Sequence, residues 1–157
     1  MNRLQRMGIG AAAGSALLLL GALAFQYLGG LAPCPMCIWQ RWPHAIAILL
    51  GLLLVVSPAR AIAALGALTV LVGAGIGVYH AGVEQRWWPG PDTCTAPVPG
   101  TMETSELLDR ILAMPVVLCD EIPWSLCGIS MAGWNAILSL VLAFLWLRAY
   151  ASSSASQ

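Results

Sequence analysis

The chain has 157 residues, 59% of them hydrophobic and 9% charged, and its formal net charge is zero. Soluble domains carry about 25% charged residues, so this chain lacks the polar side chains to cover a water-facing surface, and lipid is the natural solvent for much of its exterior. There is no lysine and no basic run, which removes the electrostatic footprint that gripping nucleic acid requires.

Arg3 and Arg6 precede the first apolar stretch, Gly8 to Ala32. This stretch has some features of a cleavable leader, with Ala22-Leu23-Ala24 as a cut site, but it exceeds the 7 to 15 apolar residues of such a leader and continues past the cut. It is read as a membrane span. Gly29-Gly30 and Pro33-Cys34-Pro35 supply turn chemistry after it. The second stretch, Ile38 to Val56, is closed by Ser57-Pro58, and the third covers Ala61 to Tyr79. A segment from Ala81 to Leu126 then carries all seven acids, and the fourth apolar stretch runs from Ile129 to Leu147. Each stretch is near the ~20 residues that cross a bilayer core as a helix. The expected fold class is an all-α membrane protein: one domain over 1–157, a four-transmembrane-helix bundle with a long extracytoplasmic loop over about 81–128.

With four spans, the N-terminus, the 57–60 turn and the C-terminus share one side. They carry Arg3, Arg6, Arg60 and Arg148 and no acid. The positive-inside rule makes that side cytoplasmic. All seven acids fall in the other compartment, and with them, on this topology, Cys34, Cys37, Cys94 and Cys119, in an environment where disulfides persist.

Cys34-Pro35-Met36-Cys37 opens the second span. A Cys-x-x-Cys motif also serves haem attachment and zinc. Haem attachment needs a histidine after the second cysteine, where Ile38 stands. Zinc needs two more ligands, and the candidates, His44 and His80, belong to predicted spans without a second Cys-x-x-Cys; no metal is expected. A redox role fits the position better. Cys37 lies near the first turn of a helix, where unpaired amides and the helix dipole favour an anion. Arg41, four residues on, shares its face; an arginine in a span is costly and usually functional, although near a helix end it also serves as an anchor.

In the loop, Leu107, Leu108, Ile111 and Leu112 recur at helical spacing, with Glu103 and Glu106 before them and Pro115 after. A short amphipathic helix over Thr104 to Met114 is expected on the membrane surface. Trp87 and Trp88 are candidate interfacial anchors. Cys94, between Pro91 and Pro97, is read as exposed and adaptable, suited to exchange with a partner; spacing alone does not separate this from a structural bridge between Cys94 and Cys119. Cys127 is read as a small buried hydrophobe at the start of the last span.

Cys34-Pro35-Met36-Cys37-Ile38-Trp39-Gln40-Arg41, the cysteines at 94 and 119, and Trp124, Gly128, Met131 and Trp134 before and in the fourth span together resemble the bacterial disulfide bond formation protein B (DsbB) family. The resemblance covers nearly the whole chain, omitting the tail after Tyr150. It implies a multi-pass inner-membrane enzyme that reoxidises a periplasmic DsbA-like thiol oxidase and passes the electrons to a membrane quinone, either ubiquinone or menaquinone. In that relay Cys94 and Cys119 form the pair that the oxidase attacks, at Cys94. Cys34 and Cys37 form the second pair, with Cys37 as thiolate against the quinone, Arg41 near its oxygen, and Met131 and Trp134 beside it. The relay from DsbA through DsbB to quinone is what keeps a bacterial periplasm oxidising. Two positions depart from the expected pattern: Cys127 is extra, and position 40 is Gln where an acid is expected in some relatives. The weaker resemblance is to vitamin K epoxide reductase-like proteins, in which the Cys-x-x-Cys lies at a late span; a membrane scaffold with static disulfides is the non-enzymatic alternative.

Overall fold

A computed structural model describes residues 1–95, 112 and 117–152. It contains four long helices: α1 (Arg3–Tyr27), α2 (Pro35–Val56), α3 (Arg60–Glu84) and α4 (Met131–Ser152), with a two-stranded hairpin, β1 (Ser125–Leu126) and β2 (Ile129–Ser130), before α4. All four helices are long and apolar enough to cross a membrane. The amphipathic helix expected over Thr104 to Met114 lies outside the described residues, apart from the exposed Leu112.

The helix limits follow from caps rather than from hydropathy. Asn2 and Gln5 form a reciprocal capping box, so α1 starts ahead of the apolar run and includes both arginines. It ends five residues before Ala32, because Gly30 adopts a left-handed φ of +68° and Leu31 N–H turns back to Phe25 O. Helix α3 outlasts its predicted end at Tyr79 by five residues. His80, Val83 and Glu84 are buried against the protein, so the helix persists where its hydropathy fades. Its end is a Schellman closure, Trp87 N–H to Gly82 O and Arg86 N–H to Val83 O, with Arg86 left-handed.

The bundle is held by close backbone approach as much as by large side chains. Around Trp146, which is fully buried, pack Leu4, Leu54, Ala63 and Ala67. A Cβ on Gly66 would meet the Trp146 ring, and one on Gly77 would sit 3.1 Å from both Ala132 O and Ala136 Cβ. Small residues at crossings let membrane helices pack where no hydrophobic drive separates them from lipid. Leu17, Leu20, Leu49, Leu68, Leu140 and Phe144 point outward and are exposed, the surface expected against acyl chains.

The two ends of the bundle differ as the charge pattern requires. At one end Gln5 Nε2 donates to Leu54 O and Val55 O at 3.1 and 3.2 Å, and Arg60 lies over the Tyr150 ring at 4.6 Å. At the other, Phe25 meets Trp124 with ring centroids 5.0 Å apart, and the cysteines gather. Trp88 stacks on Tyr79 and donates its indole N–H to Tyr79 O at 2.9 Å, while Trp87 stays exposed.

Candidate redox site

Helix α2 starts on its own cysteine. Cys34 is the N-cap, its sulfur accepting the Cys37 N–H at 3.2 Å, and Pro35 occupies the first helical position, where a missing N–H removes nothing. This places the two thiol sulfurs 2.9 Å apart. Cys34 is buried, and the hydrogen bond its thiol donates to Cys37, reinforced by burial, pushes its pKa up from the ordinary thiol value.

Cys94 and Cys119 are joined by a disulfide. Both are fully buried, which corrects the expectation of an exposed Cys94. The reason is packing: Pro91 O receives the Cys94 N–H at 3.0 Å, Cys119 N–H bonds Cys94 O, and the bridge lies in one apolar cluster with Cys34, Met36 and Val83. The four predicted relay cysteines are therefore brought together, Cys34 directly in the cluster with the loop disulfide and Cys37 at its edge. Cys127 is the opposite case. It is exposed, not buried, because it and Gly128 are the two left-handed residues (φ 53° and 76°) of the tight turn between β1 and β2.

On its other side Cys37 faces a cavity of about 370 Å3 between α1, α2 and α4. Its walls are mostly apolar and include Leu18, Phe25, Trp124, Met131 and Trp134. Arg41 lines it one turn below Cys37, its guanidinium donating to Gln26 Oε1 at 2.7 Å. Trp134 is held by its indole N–H on Leu126 O at 3.1 Å. All three predicted cofactor-binding residues, Arg41, Met131 and Trp134, thus line one cavity with Cys37. An apolar slot of this size with a few converging polar groups suits a small planar ligand, and the residues present fit a quinone head group, with Arg41 as the cationic donor.

A buried polar chain that the sequence reading did not assemble forms one flank of the cavity. Gln40 Nε2 donates to His80 Nδ1 at 2.7 Å, Asn135 Nδ2 donates to Gln40 Oε1 at 2.7 Å, and His44 Nε2 donates to Asn135 Oδ1 at 2.9 Å. With Nδ1 an acceptor, neutral His80 carries its proton on Nε2, which lies 3.6 Å from Cys34 Sγ. The chain therefore runs from a cavity-lining histidine to the buried thiol. The available signal was the presence of His44, Gln40 and Asn135 inside apolar spans, since polar groups at membrane depth are costly and usually functional.

Taken together, a four-helix membrane bundle with a dithiol wedged between a disulfide and an apolar cavity defines a membrane thiol–disulfide oxidoreductase. The family model described as "Disulfide bond formation protein DsbB" matches residues 5–149. Disulfide bond formation protein B of Shewanella amazonensis is 36% identical over 150 residues, covering 91% of this chain and 88% of the relative. That of Albidiferax ferrireducens is 32% identical over 147 residues, 82% of each. No solved structure is a significant match. The chain belongs to the DsbB family of disulfide bond formation proteins.

Proposed function

We propose that the chain is a quinone-dependent thiol oxidase of the inner membrane, with both termini cytoplasmic, that reoxidises a periplasmic DsbA-like dithiol oxidase. The observation that supports this reading is the split orientation of one Cys-x-x-Cys pair: Cys34 packs against the Cys94–Cys119 disulfide, and Cys37 faces the cavity with Arg41.

The steps are thiolate attacks on disulfide sulfur. A partner thiolate attacks Cys94, the Cys94–Cys119 bond breaks, and Cys119 leaves as thiolate; the second partner thiol then releases an oxidised partner. Cys119 or Cys94, reduced in this way, attacks Cys34 of an oxidised Cys34–Cys37 pair, and the electron pair leaves on Cys37. Closure of the loop disulfide returns a proton and the thiol to Cys34. A quinone in the cavity would accept the two electrons and two protons carried by each partner dithiol. Arg41 holds an oxygen acceptor near Cys37, Met131 and Trp134 shape the wall, and the buried site excludes water from the thiolate. Neutral His80, through Nε2–H, faces the sulfur that alternates between thiol and disulfide.

The test pairs two measurements on purified protein: quinone reduction driven by reduced partner, and the thiol state of the four cysteines when quinone is depleted. A relay accumulates reduced thiols without quinone; disulfides that stay oxidised under those conditions would identify a static scaffold and overturn the proposal.

A further inference from the structure

Beside Cys34, next to the large cavity and sharing Cys37, Met131 and Ala132 with it, lies a crevice of about 20 Å3 lined also by Cys34, His80, Glu84 and Glu121. Among the described residues the sulfurs of Cys34 and Cys37 and a ring nitrogen of His80 all lie within 4.8 Å of one another. Glu84, one helical turn beyond His80, adds a carboxylate with Oε1 3.9 Å from His80 Nε2. Its side chain is 3% exposed, and Oε2 is buried with no hydrogen-bond partner. A buried, unsatisfied carboxylate oxygen is costly and calls for a partner.

We propose that the reduced Cys34/Cys37 pair, His80 and Glu84 form a binding site for a thiophilic divalent cation, Zn2+ or Cd2+, which acts as a brake on the relay. The braking role rests on the proposed function; the binding site does not. Two thiolates, an imidazole and a carboxylate are a tetrahedral donor set for zinc, and thiolates select such cations over Mg2+ or Ca2+. Tetrahedral zinc holds sulfurs at about 2.3 Å, hence roughly 3.8 Å from one another. The 3.6 and 3.9 Å approaches of His80 Nε2 to Cys34 Sγ and Glu84 Oε1 already have that scale; the sulfurs rotate apart from 2.9 Å, and Glu84, whose carboxylate lies outside the 4.8 Å group, swings in by a side-chain rotation. Gln40 supplies the outer contact: when its amide and that of Asn135 turn over together, Gln40 Oε1 accepts from His80 Nδ1–H, Gln40 Nε2 donates to Asn135 Oδ1, Asn135 Nδ2 donates to His44 Nε2, and His80 Nε2 is left free for the metal. Binding displaces whatever thiol protons the pair holds and moves no electrons. The sulfurs stay at the thiolate level and cannot close a disulfide until the cation leaves.

The full chain, reduced with a phosphine in detergent, is titrated with Cd2+ while the near-ultraviolet thiolate-to-metal absorption is followed, and Zn2+ is then added as competitor. One tight equivalent is expected. It should be lost in Cys37→Ser, retained in Cys94→Ser/Cys119→Ser, and weakened by about tenfold or more in both His80→Gln and the near-isosteric Glu84→Gln. Wild-type affinity in either of the last two variants overturns the four-ligand site, as does a band that disappears with Cys94 and Cys119. A chain that binds Cd2+ in this pattern but reduces no quinone would leave the metal site standing and defeat the relay alone.

Discussion

Arg41 carries the sharpest residue-scale prediction, because it is the fixed cation of the cavity and its guanidinium is oriented by Gln26. Arg41→Ala should reduce quinone turnover at low quinone concentration by about 10- to 100-fold, the worth of one charge-assisted hydrogen bond. Single-turnover thiol exchange at Cys94 should be largely intact. Lysine should rescue only in part, since a point charge lacks the planar fork that Gln26 and an oxygen acceptor share. Wild-type quinone kinetics in Arg41→Ala would reduce Arg41 to an interfacial anchor. At Cys94 the expectation is a trap: Cys119→Ala removes the resolving thiol, so the mixed disulfide with the partner should accumulate. An adduct that persists without Cys94 would place the attack elsewhere. The arginine and the Cys-x-x-Cys were legible in the sequence because their chemistry is local, set by i to i+4 spacing on one helix. The burial of Cys94, the exposure of Cys127 and the approach of His80 to Cys34 were not: the first depends on how the loop packs against α3, the second on the two left-handed residues of the hairpin turn, and the third on how α2 packs against α3.

At the scale of helices, the packing predicts where substitutions act on stability rather than chemistry. Gly66 faces the ring of Trp146, and no side chain can be added without displacing that ring. Gly66→Leu should lower the thermal midpoint of the detergent-solubilised protein, at a cost of about 1–3 kcal/mol from overpacking. Trp146→Ala should cost about 3–5 kcal/mol through the cavity it leaves. Trp146→Phe should cost distinctly less, because the indole Nε1 is buried without a hydrogen-bond partner and its loss removes an unsatisfied donor. A Phe variant as unstable as the Ala variant would show that ring shape alone governs this contact. The existence of each helix was readable from apolar length, as were the three breaks between them. The ends were not, since hydropathy tracks contact with lipid, whereas the last five residues of α3 are helical because they face the redox cluster.

For the whole molecule, one asymmetry links topology to chemistry. Arg3, Arg6, Arg60 and Arg148 lie toward one end of the bundle, near the Gln5 contacts to Leu54 and Val55 and the Arg60–Tyr150 contact. Both cysteine pairs lie toward the other, where α2 begins and α3 ends. An even number of spans is what makes this separation possible, and the end that carries four arginines and no acid, against three arginines and seven acids at the other, orients it. Reporter fusions after Arg60 and after Thr101 should therefore report opposite compartments, the first cytoplasmic and the second periplasmic. Moving the charge should move the protein: replacing Arg3, Arg6 and Arg60 with neutral residues while adding arginines in the 86–95 segment should produce a population with the cysteines facing the cytosol. There the loop disulfide would meet a reducing pool, and thiol oxidation of periplasmic substrates should fall in proportion to the inverted fraction. Equal localisation of the two fusions in the unmodified chain would break the four-span arrangement. It would also remove the physical reason for two cysteine pairs at one membrane face, since a disulfide and the dithiol it exchanges with must share both a compartment and van der Waals contact.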